Sequence, residues 1–399
     1  MVRATVAAVV QGAAFTPRHR VKSPNAAECD NPTLMACVPQ RILLIRPSAL
    51  GDVCRTVPIL ASLRAAYPNA QIDWMVRDSY VDAVVAHPAL SEVVPFPRRR
   101  FARVLIDRTV RREFLQWLRA LRRREYDLVL DCQGLGRSGL FALLSGAPRR
   151  VGPADARELG WLGYTVRHRI PRNAEHTVER MLALLRAEGI AVVEDMRLYV
   201  PPEAGAWWRG RLPPARYGVI APTARWASKC WPMDRWVMLA QWLAEERGLP
   251  VAIIGAPGEE SQVAPLLAAV REENGARIPG GDLVGKTSVG QMMAVIRDAA
   301  LVVANDSAPL HMAVGLDRPC VALFGPTDPR LVGPWKRPGA VVQPTMSPDR
   351  SPGAYRDRAQ SDAWIAGITL DAVKRCVDAQ LAAPAPLNLA REAQGDCGE

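Results

Sequence analysis

The sequence predicts an α/β protein built from two doubly wound domains, each with a parallel sheet. Short apolar runs alternate with longer amphipathic stretches, which is the rhythm of βαβ units. This rhythm occurs twice, and the two series are separated by residues 201–216, where four prolines and two glycines follow no strand or helix period. Each series therefore predicts one Rossmann-like domain, and the stretch between them predicts a linker.

Seven apolar runs are assigned to strands that are buried on both faces of a sheet, because they are short and rich in β-branched residues. They are RILLIR (41–46), IDWMV (72–76), YDLVLD (126–131), YGVIAP (217–222), PVAIIG (250–255), LVVAND (301–306) and CVALFG (320–325). Helices are predicted between them, at 52–66, 111–124, 137–145, 175–188, 234–247, 259–273 and 288–299.

These elements define a first domain over 40–200, a linker over 201–216 and a second domain over 217–369. A last helix over 370–382 is expected to pack back on the first domain. The two ends, residues 1–39 and 383–399, are expected to be disordered.

The composition is that of a soluble globular protein. The chain has 399 residues, a net charge of +11, and 49% hydrophobic and 23% charged residues. No stretch approaches the roughly 20 apolar residues that a membrane helix needs. The eight cysteines form no CxxC or CxxH pair, so neither a zinc site nor a disulfide framework is indicated. A reducing cytoplasm fits this pattern best.

Residues that could bind a ligand follow several predicted strands. In open α/β sheets, ligands bind beyond the carboxyl ends of the strands, so two facing domains form a cleft there. After the first strand, Gly51 permits a tight turn and Asp52 stands at the start of a helix. An aspartate in this position is also a common helix N-cap, which is the simpler interpretation of this motif alone.

The second domain has three such strand ends. Lys229 follows its first strand, Glu259 follows its second, and residues 306–311 begin a helix after its third. A helix N-terminus favours phosphate, a lysine adds positive charge, and a carboxylate can bind a ribose diol. Each residue could also be a solvated side chain or an ordinary helix residue. Their combination nevertheless predicts a diphosphate site with a cation and a diol acceptor.

Five segments resemble the lipopolysaccharide heptosyltransferases, glycosyltransferase family 9. They are RILLIRPSALGDVCRTVPILASLRAAYPNAQIDWMV (41–76), YDLVLDCQGLGRSG (126–139), EHTVER (175–180), ARWASKCWP (224–232) and NDSAPLHMAVGLDRPCVALFGPTDP (305–329). The resemblance implies the GT-B architecture, in which two Rossmann-like domains face a central cleft. It also implies inverting transfer of a sugar from a nucleotide diphosphate, ADP-heptose in characterised members, to an anionic glycolipid acceptor of the lipopolysaccharide core.

The resemblance also implies roles for individual residues. Asp52 matches the general base, Lys229 the contact to donor phosphate and sugar, and Glu259 the ribose ligand. Asp306, Ser307, Ala308 and His311 match the family's cradle for diphosphate and sugar. With Thr223 at the start of the loop after the first strand of the second domain, the predicted donor-binding residues are Thr223, Lys229, Glu259, Asp306, Ser307, Ala308 and His311. Ala308 departs from the pattern, because the family usually has glycine there. Alanine would be costly if this position needed a positive φ or a very close approach of phosphate.

Metal-dependent transferases hold Mg²⁺ or Mn²⁺ with a DxD pair, and the sequence contains none. Lys229 and the backbone N–H groups near Ser307 would then carry the charge of the departing diphosphate. We therefore expect neither a metal ion nor another cofactor.

Residues 95–125 carry a net charge of +8, from eleven arginines against three acidic residues. Such a block favours an anionic membrane or nucleic acid as partner, but no nucleic-acid-binding signature accompanies it, so nucleic acid is not expected. The segment RRRFAR (98–103) resembles the loop with which the family holds the acidic sugars of its lipid acceptors. The predicted acceptor-binding residues are Arg99, Arg100 and Arg103 of this loop, with Arg46 at the end of the first strand and Arg137 after QGLG completing a positive pocket.

Together these expectations describe a cytoplasmic glycosyltransferase that docks on the inner leaflet of the membrane through its basic first domain. Two alternatives stay open: the same fold with another nucleotide-sugar donor, and a non-catalytic protein that binds sugar nucleotides. The combination of Asp52 with Lys229 argues against the second alternative.

Overall fold

The computed structural model describes residues 38–171, 173–211, 216–272, 281–345 and 363–383. Nearly all of the two predicted disordered ends, 1–39 and 383–399, lies outside the described residues. The disorder expected there stays a prediction.

The first domain is built on a six-stranded sheet in which all paired strands are parallel. Its strands are β1 (Arg41–Ile45), β2 (Gln71–Arg77), β3 (Glu92–Phe96), β4 (Leu128–Asp131), β5 (Arg149–Pro153) and β6 (Val166–His168). Their order is β3-β2-β1-β4-β5-β6, the order of a dinucleotide-binding Rossmann sheet. The predicted strands β1, β2 and β4 are confirmed. Sequence analysis assigned no strand to β5 or β6, because these strands are short and contain charged residues.

Helices cover both faces of this sheet. They are α1 (Leu50–Arg55), α2 (Val57–Ala66), α3 (Arg98–Phe101), α4 (Arg108–Arg122), α5 (Gly136–Leu144) and α6 (Thr177–Ala187). The single helix predicted over 52–66 is broken at Thr56. Pro58 explains the break, because proline has no N–H to donate and its ring clashes with the carbonyl four residues earlier. It is accommodated in the first turn of α2 instead.

The second domain is built on a five-stranded parallel sheet. Its strands are β7 (Gly218–Ala221), β8 (Val251–Ile253), β9 (Leu301–Asn305), β10 (Cys320–Leu323) and β11 (Val341–Val342), in the order β11-β10-β9-β7-β8. Its helices are α7 (Pro202–Arg209), α8 (Met233–Arg247), α9 (Ala264–Glu272), α10 (Val289–Arg297), α11 (Ala308–Gly315), α12 (Pro329–Val332) and α13 (Leu370–Ala382). The four predicted strands β7 to β10 are confirmed.

The stretch predicted as an irregular linker, 201–216, contains a helix. Pro202 occupies the first turn of α7, where the missing N–H of proline costs nothing. Trp208 is buried, and its indole N–H donates to the Tyr217 hydroxyl at 2.9 Å. The tyrosine hydroxyl in turn donates to the backbone oxygen of Val295 in α10 at 2.6 Å. The expectation of no regular structure was therefore wrong for this helix, which packs on the second domain.

The prediction that the last helix packs back on the first domain was also wrong. Val373 and Val377 of α13 are buried in the core cluster that contains Val321 and Leu323 of β10. The Arg247 guanidinium of α8 also pairs with a carboxylate of α13, Asp378, at 2.7 Å. The helix therefore belongs to the second domain.

The strand orders locate the two places where ligands are expected. In the first sheet the strand order reverses between β1 and β4, and in the second sheet between β7 and β9. Open α/β sheets bind ligands beyond the carboxyl ends of the strands at such switch points. The loops that begin after these four strands are therefore expected to contribute to the site.

Candidate active site

A cavity of about 470 Å³ lies between the two domains. The first domain contributes the turn after β1 and the start of α1, and the second contributes the loops after β7, β8 and β9. We call it the first cavity. Its walls include the proposed base and all seven predicted donor-binding residues: Asp52, Thr223, Lys229, Glu259, Asp306, Ser307, Ala308 and His311.

The two domains meet at Gly51 and His311. A Cβ atom built on Gly51 would lie 2.7 Å from Cδ2 of His311 and 3.5 Å from the Cα of Ala308. Glycine at this position therefore permits the N-terminal ends of α1 and α11 to approach each other. The His311 ring is buried, and burial keeps its pKa well below the usual value, so the ring is neutral at pH 7.

Asp52 is held by two guanidinium groups. Arg46 lies 3.3 Å from one carboxylate oxygen, and Arg55 pairs with the other. The backbone N–H of Ala49 also donates to the carboxylate at 3.1 Å. Burial alone would raise the pKa of Asp52, but the positive charges of Arg46 and Arg55 outweigh it and hold the pKa well below its usual range. Asp52 is therefore a carboxylate at physiological pH.

Lys229 and Asp306 form an ion pair in the first cavity. Lys229 lies in a short 3₁₀ helix after β7, and its Nζ is 2.5 Å from an oxygen of Asp306, which follows β9. The same oxygen accepts a hydrogen bond from the Thr327 hydroxyl at 2.9 Å. The aspartate therefore orients the ammonium group toward the space in front of α11.

Glu259 is fixed at the other end of the cavity. One carboxylate oxygen accepts hydrogen bonds from the Thr223 hydroxyl at 2.6 Å and from the backbone N–H of Ala256 at 2.8 Å. These bonds hold the Glu259 carboxylate in the wall of the cavity. A carboxylate there could accept hydrogen bonds from the two hydroxyls of a ribose.

The N-terminus of α11 points into the first cavity. Ser307 precedes the helix, and its buried hydroxyl has no hydrogen-bond partner among the residues that the structure describes. Helix N-terminal N–H groups and an available hydroxyl together favour an anion such as phosphate. Ala308 is the first residue of the helix, and it is not among the described residues with positive φ. Alanine at this position therefore causes no backbone strain.

A second cavity, of about 370 Å³, adjoins Asp52 on the side of the first domain. It is lined by the loop after β4, including Gln133 and Gly134, and by three arginines: Arg46, Arg157 and Arg180. Sequence analysis did not predict Arg157 or Arg180 as site residues, although Arg180 lies in the segment EHTVER that carries the family resemblance. We call this space the second cavity.

Three of the predicted acceptor arginines do not line either cavity. Arg99, Arg100 and Arg103 are exposed, Arg100 pairs with Glu113 at 2.7 Å, and Arg103 lies 3.7 Å from Asp107. Of the predicted acceptor arginines, only Arg46 lines a described cavity.

A group of like charges surrounds Arg98 instead. Arg98 is exposed, but partial desolvation lowers the pKa of its guanidinium, and so do the neighbouring charges of Arg137, Arg77 and Arg225. Arg225 also lines the first cavity. Arg98, from the predicted loop 98–103, and the predicted Arg137 therefore interact electrostatically with Arg77 and Arg225 at the rim of the cleft, and we call these four the rim arginines.

No metal-binding cluster of three or more His, Cys, Asp or Glu side chains occurs in the described ranges. Within the same part of the chain, no helix is long and apolar enough to cross a membrane.

Comparison with known proteins agrees with this architecture. Residues 114–351 match the family model of glycosyltransferase family 9 (heptosyltransferase). Lipopolysaccharide heptosyltransferase 1 of Pseudomonas aeruginosa is 31% identical over 311 residues, which cover 74% of this chain and 82% of that protein. The corresponding protein of Escherichia coli K12 is 29% identical over 307 residues, covering 73% of this chain and 90% of that protein.

Solved structures of the E. coli heptosyltransferase WaaC are also similar. Its complex with ADP gives a TM-score of 0.67 at 26% identity, covering 85% of this chain and 99% of that chain. Its complex with ADP-2-deoxy-2-fluoro heptose gives a TM-score of 0.65 with the same identity and coverage. Fold and site thus define a GT-B glycosyltransferase. The chain belongs to glycosyltransferase family 9, the heptosyltransferase family.

Proposed function

We propose that this enzyme transfers heptose from ADP-heptose to an anionic acceptor of the lipopolysaccharide core, with inversion at the anomeric carbon. The observation that carries the proposal is the position of Asp52, which borders both the first and the second cavity. A donor in one cavity and an acceptor in the other would present their reacting atoms to the same carboxylate.

The donor fits the first cavity. Glu259 would accept hydrogen bonds from the ribose, and the N-terminus of α11 with Ser307 would hold the diphosphate. Lys229 would add its positive charge to the same phosphates. The complexes of the relative WaaC with ADP and with a fluorinated ADP-heptose support the adenine nucleotide and the heptose.

The acceptor fits the second cavity. Arg157 and Arg180 line it with Arg46, and guanidinium groups suit carboxylate and phosphate groups of an anionic sugar. The rim arginines, among them Arg137, would attract the same anionic molecule as it enters. Contacts from Arg99, Arg100 and Arg103 stay a prediction, and these residues would meet parts of the acceptor outside the cleft.

In the reaction, the acceptor hydroxyl oxygen forms a bond to the anomeric carbon while the bond from that carbon to the diphosphate oxygen breaks. The hydroxyl proton passes to Asp52. The electron pair of the broken bond leaves with ADP, whose added negative charge is stabilised by Lys229 and the N–H groups of α11. Attack from the face opposite the leaving group accounts for inversion.

The low pKa of Asp52 makes it a weak base, so it can accept the proton only late. As the new bond to the anomeric carbon forms, the attacking oxygen becomes far more acidic than an alcohol. Transfer to a carboxylate is then favourable. The same low pKa guarantees that the carboxylate is ionised when the substrates bind.

In this mechanism Lys229 and the N-terminus of α11 neutralise the charge of the departing diphosphate, so we propose that transfer requires no metal ion.

We also propose that the enzyme acts at the cytoplasmic face of the membrane, where a lipid-linked acceptor would be held. The alternatives of another nucleotide-sugar donor and of a non-catalytic binding protein each predict a different result in the experiment that follows.

The test is a transfer assay with purified protein, an acyl-chain-free core oligosaccharide and ADP-heptose, UDP-glucose or GDP-mannose, with and without EDTA. The proposal predicts a heptosylated product from ADP-heptose alone, insensitive to EDTA, with inverted configuration by NMR. Transfer from another donor would replace the heptose assignment. Tight nucleotide binding without any product would support the non-catalytic alternative.

A further inference from the structure

One helical layer of the first domain exposes many of the protein's large apolar side chains. The layer consists of α3, the turn 102–107, α4, α5, and the 3₁₀ helix Gly160–Gly163 with the preceding Leu159. Its inner side packs on the sheet through buried residues such as Phe101, Val110 and Phe141. Its exposed large apolar residues are Leu105, Ile106, Leu115, Leu140, Leu143, Leu159 and Leu162. We call this surface the outer layer.

Leu105 and Ile106 are the most exposed of these side chains, at 83% and 81%. They lie in the turn between α3 and α4, which is anchored on both sides by the buried residues Phe101 and Val110. The Arg111 guanidinium also donates to the backbone oxygen of Leu105 at 3.0 Å. The turn therefore has a defined backbone and presents two aliphatic side chains to solvent.

Arginines surround this turn in the sequence. Residues 98–112 contain seven arginines, all exposed, and a single acidic residue, Asp107. Arg100 and Arg103 are neutralised in part by nearby carboxylates. Arg108 and Arg112 have no acidic partner within the described ranges. The outer layer thus combines exposed aliphatic groups with unneutralised positive charge.

We propose that the outer layer docks on an anionic lipid bilayer, with Leu105 and Ile106 entering the interface and the arginines contacting headgroups. Aliphatic side chains gain from leaving water, and arginines gain from an anionic surface, so a bilayer satisfies both groups. A second copy of the chain would bring the same arginines to the contact, and the two positively charged surfaces would repel each other. A nucleic acid would engage the arginines but leave the aliphatic side chains in water.

The location of the layer also fits this partner. α5 begins at Gly136, two residues after Gly134, which lines the second cavity, so this element of the layer starts at the cleft. Docking would therefore set the cleft beside the bilayer that holds a lipid-linked acceptor. The inference rests on the proposed function only for this acceptor, because docking itself requires no substrate.

The experiment measures sedimentation with vesicles of phosphatidylcholine with or without phosphatidylglycerol, in the absence of substrates. We expect binding to the anionic vesicles, weakened about tenfold or more in the double variant Leu105→Ser/Ile106→Ser. The matched control Val85→Ser/Met238→Ser, which removes exposed apolar side chains elsewhere, should bind as the wild type does.

The charge contribution is tested in the same way. Arg108→Gln/Arg112→Gln should weaken binding to anionic vesicles roughly tenfold, because each arginine near the surface adds a few-fold in affinity. Arg209→Gln/Arg375→Gln, which removes the same charge from the second domain, should have little effect. Wild-type protein that fails to bind anionic vesicles, or equal losses in variants and controls, would overturn the proposal.

A separate assay distinguishes failure of docking from failure of the proposed function. Leu105→Ser/Ile106→Ser should retain transfer to an acyl-chain-free acceptor and lose transfer to an acceptor embedded in anionic vesicles. Vesicle binding without any transfer by the wild type would leave docking intact and contradict the proposed function. A dimer in solution that this double variant dissociates would assign the outer layer to a second copy and refute docking.

Discussion

Arg55 links Asp52 to the opposite domain. Its guanidinium pairs with the Asp52 carboxylate and donates a hydrogen bond to the backbone oxygen of Val332 at 2.8 Å. Asp52 and Arg55 belong to α1 of the first domain, whereas Val332 ends α12 of the second. The orientation of the carboxylate therefore depends on how the two domains are closed.

Replacing this arginine should change the titration of Asp52. In Arg55→Gln, one of the two positive charges that lower the pKa of Asp52 is lost, so its pKa rises and protonation begins at higher pH. Because the proposed base must be ionised, the acidic limb of the kcat profile should move to higher pH. The pH dependence of transfer measures this, and a profile identical to that of the wild type would exclude the coupling.

Gly51→Ala tests the contact between the domains. The new methyl group would lie 2.7 Å from the buried His311 ring, a distance that requires the ring or one of the two helices to shift. We expect a loss of about 1–3 kcal/mol in the free energy of unfolding, together with reduced turnover. Gly339→Ala is the control, because nothing lies within 4 Å of a Cβ at that position. Denaturant titrations should separate the two variants, and equal stabilities would contradict the contact.

His87 should make stability depend on pH. Burial lowers its pKa to about 4, below the ordinary value of 6.5. Between these two values the unfolded chain binds a proton that the folded chain does not, so the free energy of unfolding falls as pH falls. The loss from this residue is at most about 1.4 kcal/mol per pH unit. Denaturation at pH 7 and pH 5 should show a smaller pH effect in His87→Gln, and an unchanged difference would be inconsistent with a neutral buried ring.

Glu259 should contribute to binding of the free nucleotide. Removing its carboxylate in Glu259→Ala deletes the proposed ribose contact, and we expect ADP affinity to fall roughly tenfold, as for a hydrogen bond to a charged group. The neighbouring Glu260 does not line the first cavity, so Glu260→Ala should bind ADP as the wild type does. Calorimetry with ADP gives both values, and equal affinities for the two variants would remove Glu259 from the donor site.

The sequence predicted the buried central strands and the residues that follow them, because local patterns determine both. Asp52, Lys229 and Glu259 each follow a buried strand, and the parallel sheets bring such strand ends together without further information. Ala308 was the one doubtful residue. Its helical backbone could be established only from the structure.

Other features depend on contacts between distant residues, and the sequence did not predict them. The prolines near α7 suggested a linker. The helix is stabilised by the contact of Trp208 with Tyr217, and the local sequence pattern does not show that contact. The packing of α13 against β10 and the hydrogen bond from Arg55 to Val332 likewise join segments that are far apart in the chain. The ion pair between Arg100 and Glu113 on α4 was likewise not predicted, and the acceptor role of Arg100 stays a prediction.

The central claim is that Asp52 removes the proton of the acceptor, and turnover of Asp52→Asn tests it most directly. Asparagine retains the size of the side chain but cannot accept the proton, so kcat should fall by roughly 10²-fold or more while the affinity for ADP changes little. Calorimetry with ADP and a thermal unfolding curve of the same preparation verify that the donor site is intact. Turnover of Asp52→Asn within twofold of the wild type would contradict the mechanism.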